Sequence, residues 1–129
     1  MPDEPVVRSE YELPKLWIDE PAGRVIQEAE CQLRGWGVCT DSRLLHRLAF
    51  RTSAKLLSSR KVARPEINLS DTNLHAIGFV APLSLGDHLS AVNEGKLKIW
   101  VLIGHTIIGQ FYLRIAPGAI GRTLDRGAG

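Results

Sequence analysis

The chain is poor in the residues that usually announce a chemistry. Its 129 residues include two cysteines, Cys31 and Cys39, and four histidines, His46, His75, His88 and His105. No C-x-x-C, H-x-H or H-x-x-x-H spacing occurs, so a metal site would need ligands from scattered loops and none is expected. Cys31 and Cys39 fall on one extended region. A bridge would require a turn that brings their Cα atoms within about 7 Å, so two free thiols are expected. There is no G-x-S-x-G elbow, no nucleophile signature around either cysteine, and no lysine of a phosphate-binding loop between Gly104 and Gly109. Asp87-His88 is adjacent in sequence, and neighbouring strand residues face opposite ways. No catalytic residue and no cofactor is therefore expected, and the chain reads as a non-enzyme.

Charge of one sign is also lacking. The net charge is +2 with histidine neutral. The one local basic cluster, Lys55, Arg60, Lys61 and Arg64, reads as a solvated face, so no nucleic-acid partner is expected. The longest apolar run, Ile99 to Ile103, is far short of the roughly 20 residues of a membrane span. Membrane insertion is not expected. The start, Met1-Pro2-Asp3-Glu4-Pro5, is acidic and has no apolar signal core. The expected location is cytoplasmic.

What remains is ordinary globular material, 44% apolar and 23% charged, of a length that suits one domain. Residues 1–14 read as an irregular lead-in, 15–120 as a single domain and 121–129 as a flexible tail. No sustained helical period appears. Leu16-Trp17-Ile18 reads as a short edge strand, flanked by charge and Pro21. From Val25 the apolar positions Ala29, Cys31 and Leu33 alternate with Glu28, Glu30, Gln32 and Arg34, the period of a half-buried strand. At Gly35 the phase is expected to shift through a bulge, which turns Trp36 and Val38 inward. Leu44, Leu48 and Phe50 predict another strand, with His46 in phase at the core margin. Lys55 to Val62 fits either a strand or one helical turn.

Arg64-Pro65 forces an extended or turn conformation, with a turn or 3₁₀ segment through Glu66 and Ile67. Asn68 to Asn73 is turn-rich. Ile77 to Val80 reads as a brief strand ended by Pro82, and Leu85-Gly86-Asp87 as a turn. Lys96–Ile103 is the cleanest strand, with Leu97, Ile99, Val101 and Ile103 on one face. Gly104-His105 suits a type II′ hairpin, and Thr106–Ile115 is the partner strand. There Ile107, Phe111, Leu113 and Ile115 are predicted to point inward, with Gln110, Tyr112 and Arg114 outward. His105 is expected to be exposed at the hairpin tip. Many short strands with turns between them predict an all-β, two-sheet antiparallel β-sandwich, immunoglobulin-like or jelly-roll-like. The antibody-type Cys…Trp…Cys spacing is absent.

Gly35-Trp36-Gly37, then Arg64-Pro65-Glu66, then Gly78-Phe79, form an ordered frame. With the strands between them, they resemble a small β-sandwich accessory domain found beside bacterial glycosyltransferases and other surface-polysaccharide proteins. That domain reads G-W-A or G-W-G, two strands, R-P-D or R-P-E, then G-F. The resemblance runs from about Arg24 to Ile115. It implies a non-catalytic module and identifies no sugar. No catalytic glycosyltransferase domain accompanies it here, as in an excised domain or a free-standing relative. From the residues themselves, Trp36, Arg64, Pro65 and Phe79 read as scaffold: a core ring, a carboxylate- or carbonyl-binding arginine, a turn and a core anchor.

One face invites a ligand. Trp100 and Tyr112 share the outward phase of the two strongest strands with Lys98, Gln110 and Arg114. Such a face suits a glycan, through aromatic stacking and hydrogen bonds to hydroxyls. It equally suits a partner protein, a catalytic domain or a second copy of the chain. An interaction or oligomerisation domain without glycan contact is thus the first alternative, marked by an exposed apolar patch around Trp100 and Leu102. A small enzyme with a loop-built site is the second.

Overall fold

The computed structural model describes residues 12–64 and 73–121. The expected turn at Pro65 to Ile67, most of the Asn68 to Asn73 segment, most of the lead-in and the tail after Gly121 lie outside them. Nine strands are formed among the described residues: β1 (Lys15–Glu20), β2 (Val25–Ile26), β3 (Glu30–Cys39), β4 (Leu48–Arg51), β5 (Arg60–Val62), β6 (His75–Ser84), β7 (Val92–Asn93), β8 (Lys96–Ile103) and β9 (Thr106–Ile115). They make two sheets, one ordered β1-β3-β6-β5 and the other β2-β9-β8-β4, with β7 added beside β8. The pairing is antiparallel except for β2 against β9. The all-β sandwich follows directly from the alternation in the chain.

The sheets close on one apolar core. Phe79 of β6 and Phe50 of β4 are fully buried, and their rings meet between the layers with centroids 4.6 Å apart and planes tilted by 41°. Leu33, Leu83, Leu97, Ile99 and Leu113 complete the interior around them. Phe79 is thus the core anchor its position after Gly78 predicts.

Trp36 is not a core ring. β3 pairs with β6 without interruption from Glu30↔Ser84 to Cys39↔His75, so no bulge shifts the phase at Gly35. Gly35 and Gly37 keep the inward positions. A Cβ on Gly35 would collide with the Trp17 carbonyl oxygen and lie 2.9 Å from the Phe79 ring. On Gly37 it would lie 2.9 Å from Leu16 Cδ2 and 3.3 Å from a Leu45 methyl. The two glycines make room for large core side chains and for the close approach of β1. Trp36 points outward and stacks on Trp17, its direct partner in β1, with centroids 4.2 Å apart.

The frame is nevertheless a single place in the fold. Trp36 lies opposite Gly78, Gly35 opposite Phe79, and Val62 opposite Gly78 on the other side. The stem of Arg64 crosses Gly78, where an added Cβ would meet Arg64 Cγ at 2.6 Å. The Arg64 guanidinium then reaches Asp19 at 3.1 Å, at the irregularity in the β1–β3 register.

Three further expectations are corrected. Residues Ser42–His46 form one turn of α-helix (α1), capped by Asp41, whose carboxylate accepts from the Arg43 backbone N–H at 2.9 Å. The alternation of Leu44 with Leu48 was therefore not a strand phase, and His46 is exposed. β6 continues through Pro82 to Ser84. Pro82 is exposed, beyond the reach of the short β5, an edge position where a missing N–H costs no ladder bond. The run from Val25 divides between sheets, because β2 joins β9 while β3 joins β1 and β6. The ambiguous Lys55 to Val62 segment is extended, ending in β5.

The free thiols sit near opposite ends of β3. Eight residues of extended chain separate them by roughly 26 Å. Burial, helped by the charges of Glu30 and Glu20, pushes the Cys31 thiol up to about 11.

Candidate functional site

β8 and β9 form the long hairpin that the sequence predicts, with the expected boundaries. Gly104 supplies the positive φ, 61°, at the first turn position. Leu97, Ile99, Val101 and Ile103 point into the core. The opposite face carries Lys96, Lys98 and Trp100 on β8, and Gln110, Tyr112 and Arg114 on β9. Their register is Lys96↔Arg114, Lys98↔Tyr112 and Trp100↔Gln110. Trp100 and Tyr112 are thus diagonal neighbours, within mutual reach of aromatic side chains. Lys98 stands between them, its Nζ 5.6 Å from the Trp100 ring centre and 5.9 Å from that of Tyr112.

A groove of about 630 Å³ opens beside this trio. Trp100, Tyr112, Lys98 and Lys96 form its floor. Asn93, Glu94, Ser53 and Ser90 line it as well. The groove exists because two short strands share one edge of β8. β7 pairs only as far as Leu97 and β4 begins at Trp100. The stretch between, Lys98 and Ile99, has no strand alongside it on that edge.

A buried polar tie sets the wall. Thr52, at the end of β4, and His88, in the 3₁₀ segment Leu85–Ala91, are both buried. Thr52 Oγ1 lies 2.6 Å from His88 Nδ1 and accepts from the backbone N–H groups of Ala54 and Lys55. With its oxygen so occupied, the hydroxyl donates to Nδ1, which places the ring proton of neutral His88 on Nε2. Burial holds His88 below the usual histidine range, with Lys55 adding in the same sense and Asp87 opposing. The tie holds together the two segments that contribute Ser53 and Ser90 to the groove. Asp87 is itself exposed and pairs with Lys55 at 3.5 Å.

Of the five residues expected on the ligand face, Trp100, Tyr112 and Lys98 line the groove. Gln110 and Arg114 are exposed on the same sheet face outside it. Ser53, Ser90, Asn93 and Glu94 could not be found in the sequence, because separate segments bring them together. Arg51 falls on the polar phase of the strand predicted through Leu48 and Phe50, and its place directly opposite Trp100 comes from the pairing of β4 with β8. Lys96 was legible from its phase with Lys98. Glu94 takes a positive φ of 53° and Gly95 one of 72°, as the two-residue hairpin turn between β7 and β8 requires.

The cue for a purely apolar interaction patch is not met at Leu102, which is 7% exposed. Ile107, expected inward, is instead exposed, because the register slips between Val101↔Gly109 and Leu102↔Ile107 and leaves Ile108 as an extra residue. Among the described residues, no group of three or more His, Cys, Asp or Glu side chains could hold a metal ion. No described helix is long and apolar enough to cross a membrane. Compared with known protein families, curated proteins and solved structures, the chain gives no match.

Proposed function

We propose that this chain is a non-catalytic glycan-binding accessory module of the kind that serves bacterial surface-polysaccharide and glycosyltransferase systems. The observation that carries the reading is the Trp100–Lys98–Tyr112 trio on the floor of the groove. Flat aromatic faces suit the apolar faces of pyranose rings, and the surrounding Ser53, Ser90, Asn93 and Glu94 side chains suit sugar hydroxyls. Concave sites with a few convergent polar groups are the usual form of a small-ligand site. Glu94 is the one carboxylate among the lining residues, whereas glycosidic cleavage ordinarily employs a pair. Binding is therefore the better reading than hydrolysis. The Gly35-Trp36-Gly37, Arg64 and Gly78-Phe79 frame lies in the other sheet and serves as scaffold.

A glycan array probed with the wild-type chain, Trp100→Ala and Tyr112→Ala tests the proposal. At least one glycan is expected to bind, and each substitution is expected to weaken it at least about tenfold, the equivalent of about 1.4 kcal/mol, with melting temperature as the folding control. No binding to any glycan, or binding indifferent to both substitutions, overturns it.

A further inference from the structure

The charge on the groove face narrows the ligand class. On the sheet face that bears the groove, the outward positions of β4, β8 and β9 carry Lys96 and Lys98 within the groove and Arg51 and Arg114 beside it, against the single lining carboxylate of Glu94. Lys96 lies directly opposite Arg114. Like charges in that position destabilise a sheet, so folding gains nothing from the arrangement, while a bound anion would neutralise it. No ion pair engages Lys96, Lys98 or Arg114 among the described residues. Lys98 moreover lies within cation–π range of both rings, which holds its ammonium beside the two aromatic side chains. An arginine fork beside a lysine suits a carboxylate, sulfate or phosphate group held from two sides.

We infer that the groove takes an acidic saccharide: a sugar ring stacked on Trp100 and Tyr112, its anionic substituent held by Lys98 and Lys96 within the groove and by Arg114, opposite Lys96 on the adjoining sheet face. The inference rests on the glycan-binding reading above and adds the charge of the ligand. A single-stranded nucleic acid shares the pairing of anion and stacking ring. The groove favours the saccharide, because the serine, asparagine and glutamate side chains among its lining residues match a hydroxyl-rich ligand.

The test titrates the full chain, at 50 and 200 mM salt, with oligogalacturonate, hyaluronan and chondroitin sulfate oligosaccharides. Each is paired with its carboxyl-reduced or desulfated neutral counterpart, and oligouridylate serves as a further probe. The carboxylate-only and sulfated members separate the two anion chemistries. We expect at least one acidic member to bind about tenfold or more tightly than its neutral counterpart. Lys98→Gln and Arg114→Gln should each cost about five- to tenfold and weaken the salt dependence, while Arg60→Gln on the other sheet changes nothing. Equal binding of acidic and neutral partners overturns the acidic inference and leaves glycan binding standing. Failure of every one of these saccharides to bind overturns the acidic inference, and the glycan-binding reading falls with it only if the glycan array is also blank. Oligouridylate binding tighter than every saccharide overturns the inference in favour of nucleic acid.

Discussion

At the scale of single residues, the two glycines around Trp36 do different work despite their symmetry in sequence. An added Cβ at Gly35 meets the main chain of β1, which cannot rotate away, as well as the Phe79 ring. At Gly37 it meets the methyl ends of Leu16 and Leu45, which can shift by a few tenths of an ångström. Gly35→Ala should therefore cost about 3 kcal/mol or more, at the upper end of overpacking penalties, and loosen β1 from the sheet. Gly37→Ala should cost about 1 kcal/mol. Urea denaturation of the two variants checks this, and equal losses would show that β1 does not approach Gly35 so closely. Trp36 teaches the complementary lesson. Its type and its glycine neighbours suggested a buried ring, but its period along β3 puts it with Arg34 on the outer face. The stack on Trp17 covers it instead. Residue type alone could not distinguish these outcomes, because the partner ring lies on another strand.

At the scale of elements, the β8–β9 hairpin was the most legible part of the chain. Alternation, uninterrupted by proline, sets β8 and, from Gly109 onward, β9, and Gly104 sets the turn. That glycine carries the positive φ at which an alanine is strained by about 1–2 kcal/mol, and its Cβ would also press on Arg47 Nη2, 2.6 Å away. Gly104→Ala should lower the stability of the whole domain by about that amount, read as a shift in urea midpoint without a change in slope. An unchanged midpoint would mean that the turn relaxes into another type. Where elements were misread, a local competitor had won. Asp41 caps a helical turn over residues whose leucines also fit a strand, and a one-residue slip at Ile108 reverses the phase of Ile107. One residue suffices to reverse a strand's faces, and nothing in the apolar pattern around Ile108 marks the extra one.

At the scale of the molecule, the buried Thr52–His88 contact joins the end of β4 to the 3₁₀ segment beside the groove. Burial favours neutral His88 in the fold, so its folded pKa lies below the unfolded value of about 6.5. As pH falls below about 6.5, the unfolded chain takes up a proton that the folded protein resists, and stability declines until the folded pKa is passed. Between pH 7 and 5 the wild type should therefore lose stability more steeply than His88→Gln, which lacks the titrating ring. Parallel pH profiles of melting temperature would show that His88 is free to protonate in place.

The amino-acid sequence by itself determined the sandwich, the β8–β9 hairpin and the shared outward face of Lys98, Trp100, Gln110, Tyr112 and Arg114. These follow from a two-residue period and from glycine and proline punctuation, both of which are local. The tertiary structure decided that Trp36 stacks outside on Trp17, that Arg64 crosses Gly78 to reach Asp19, and that a groove forms over Lys98. Each of those depends on contacts between segments far apart in the chain. The placing of β4 and β7 along one edge of β8, with Lys98 and Ile99 uncovered between them, and the Thr52–His88 tie are set by how the layers close and not by any local pattern.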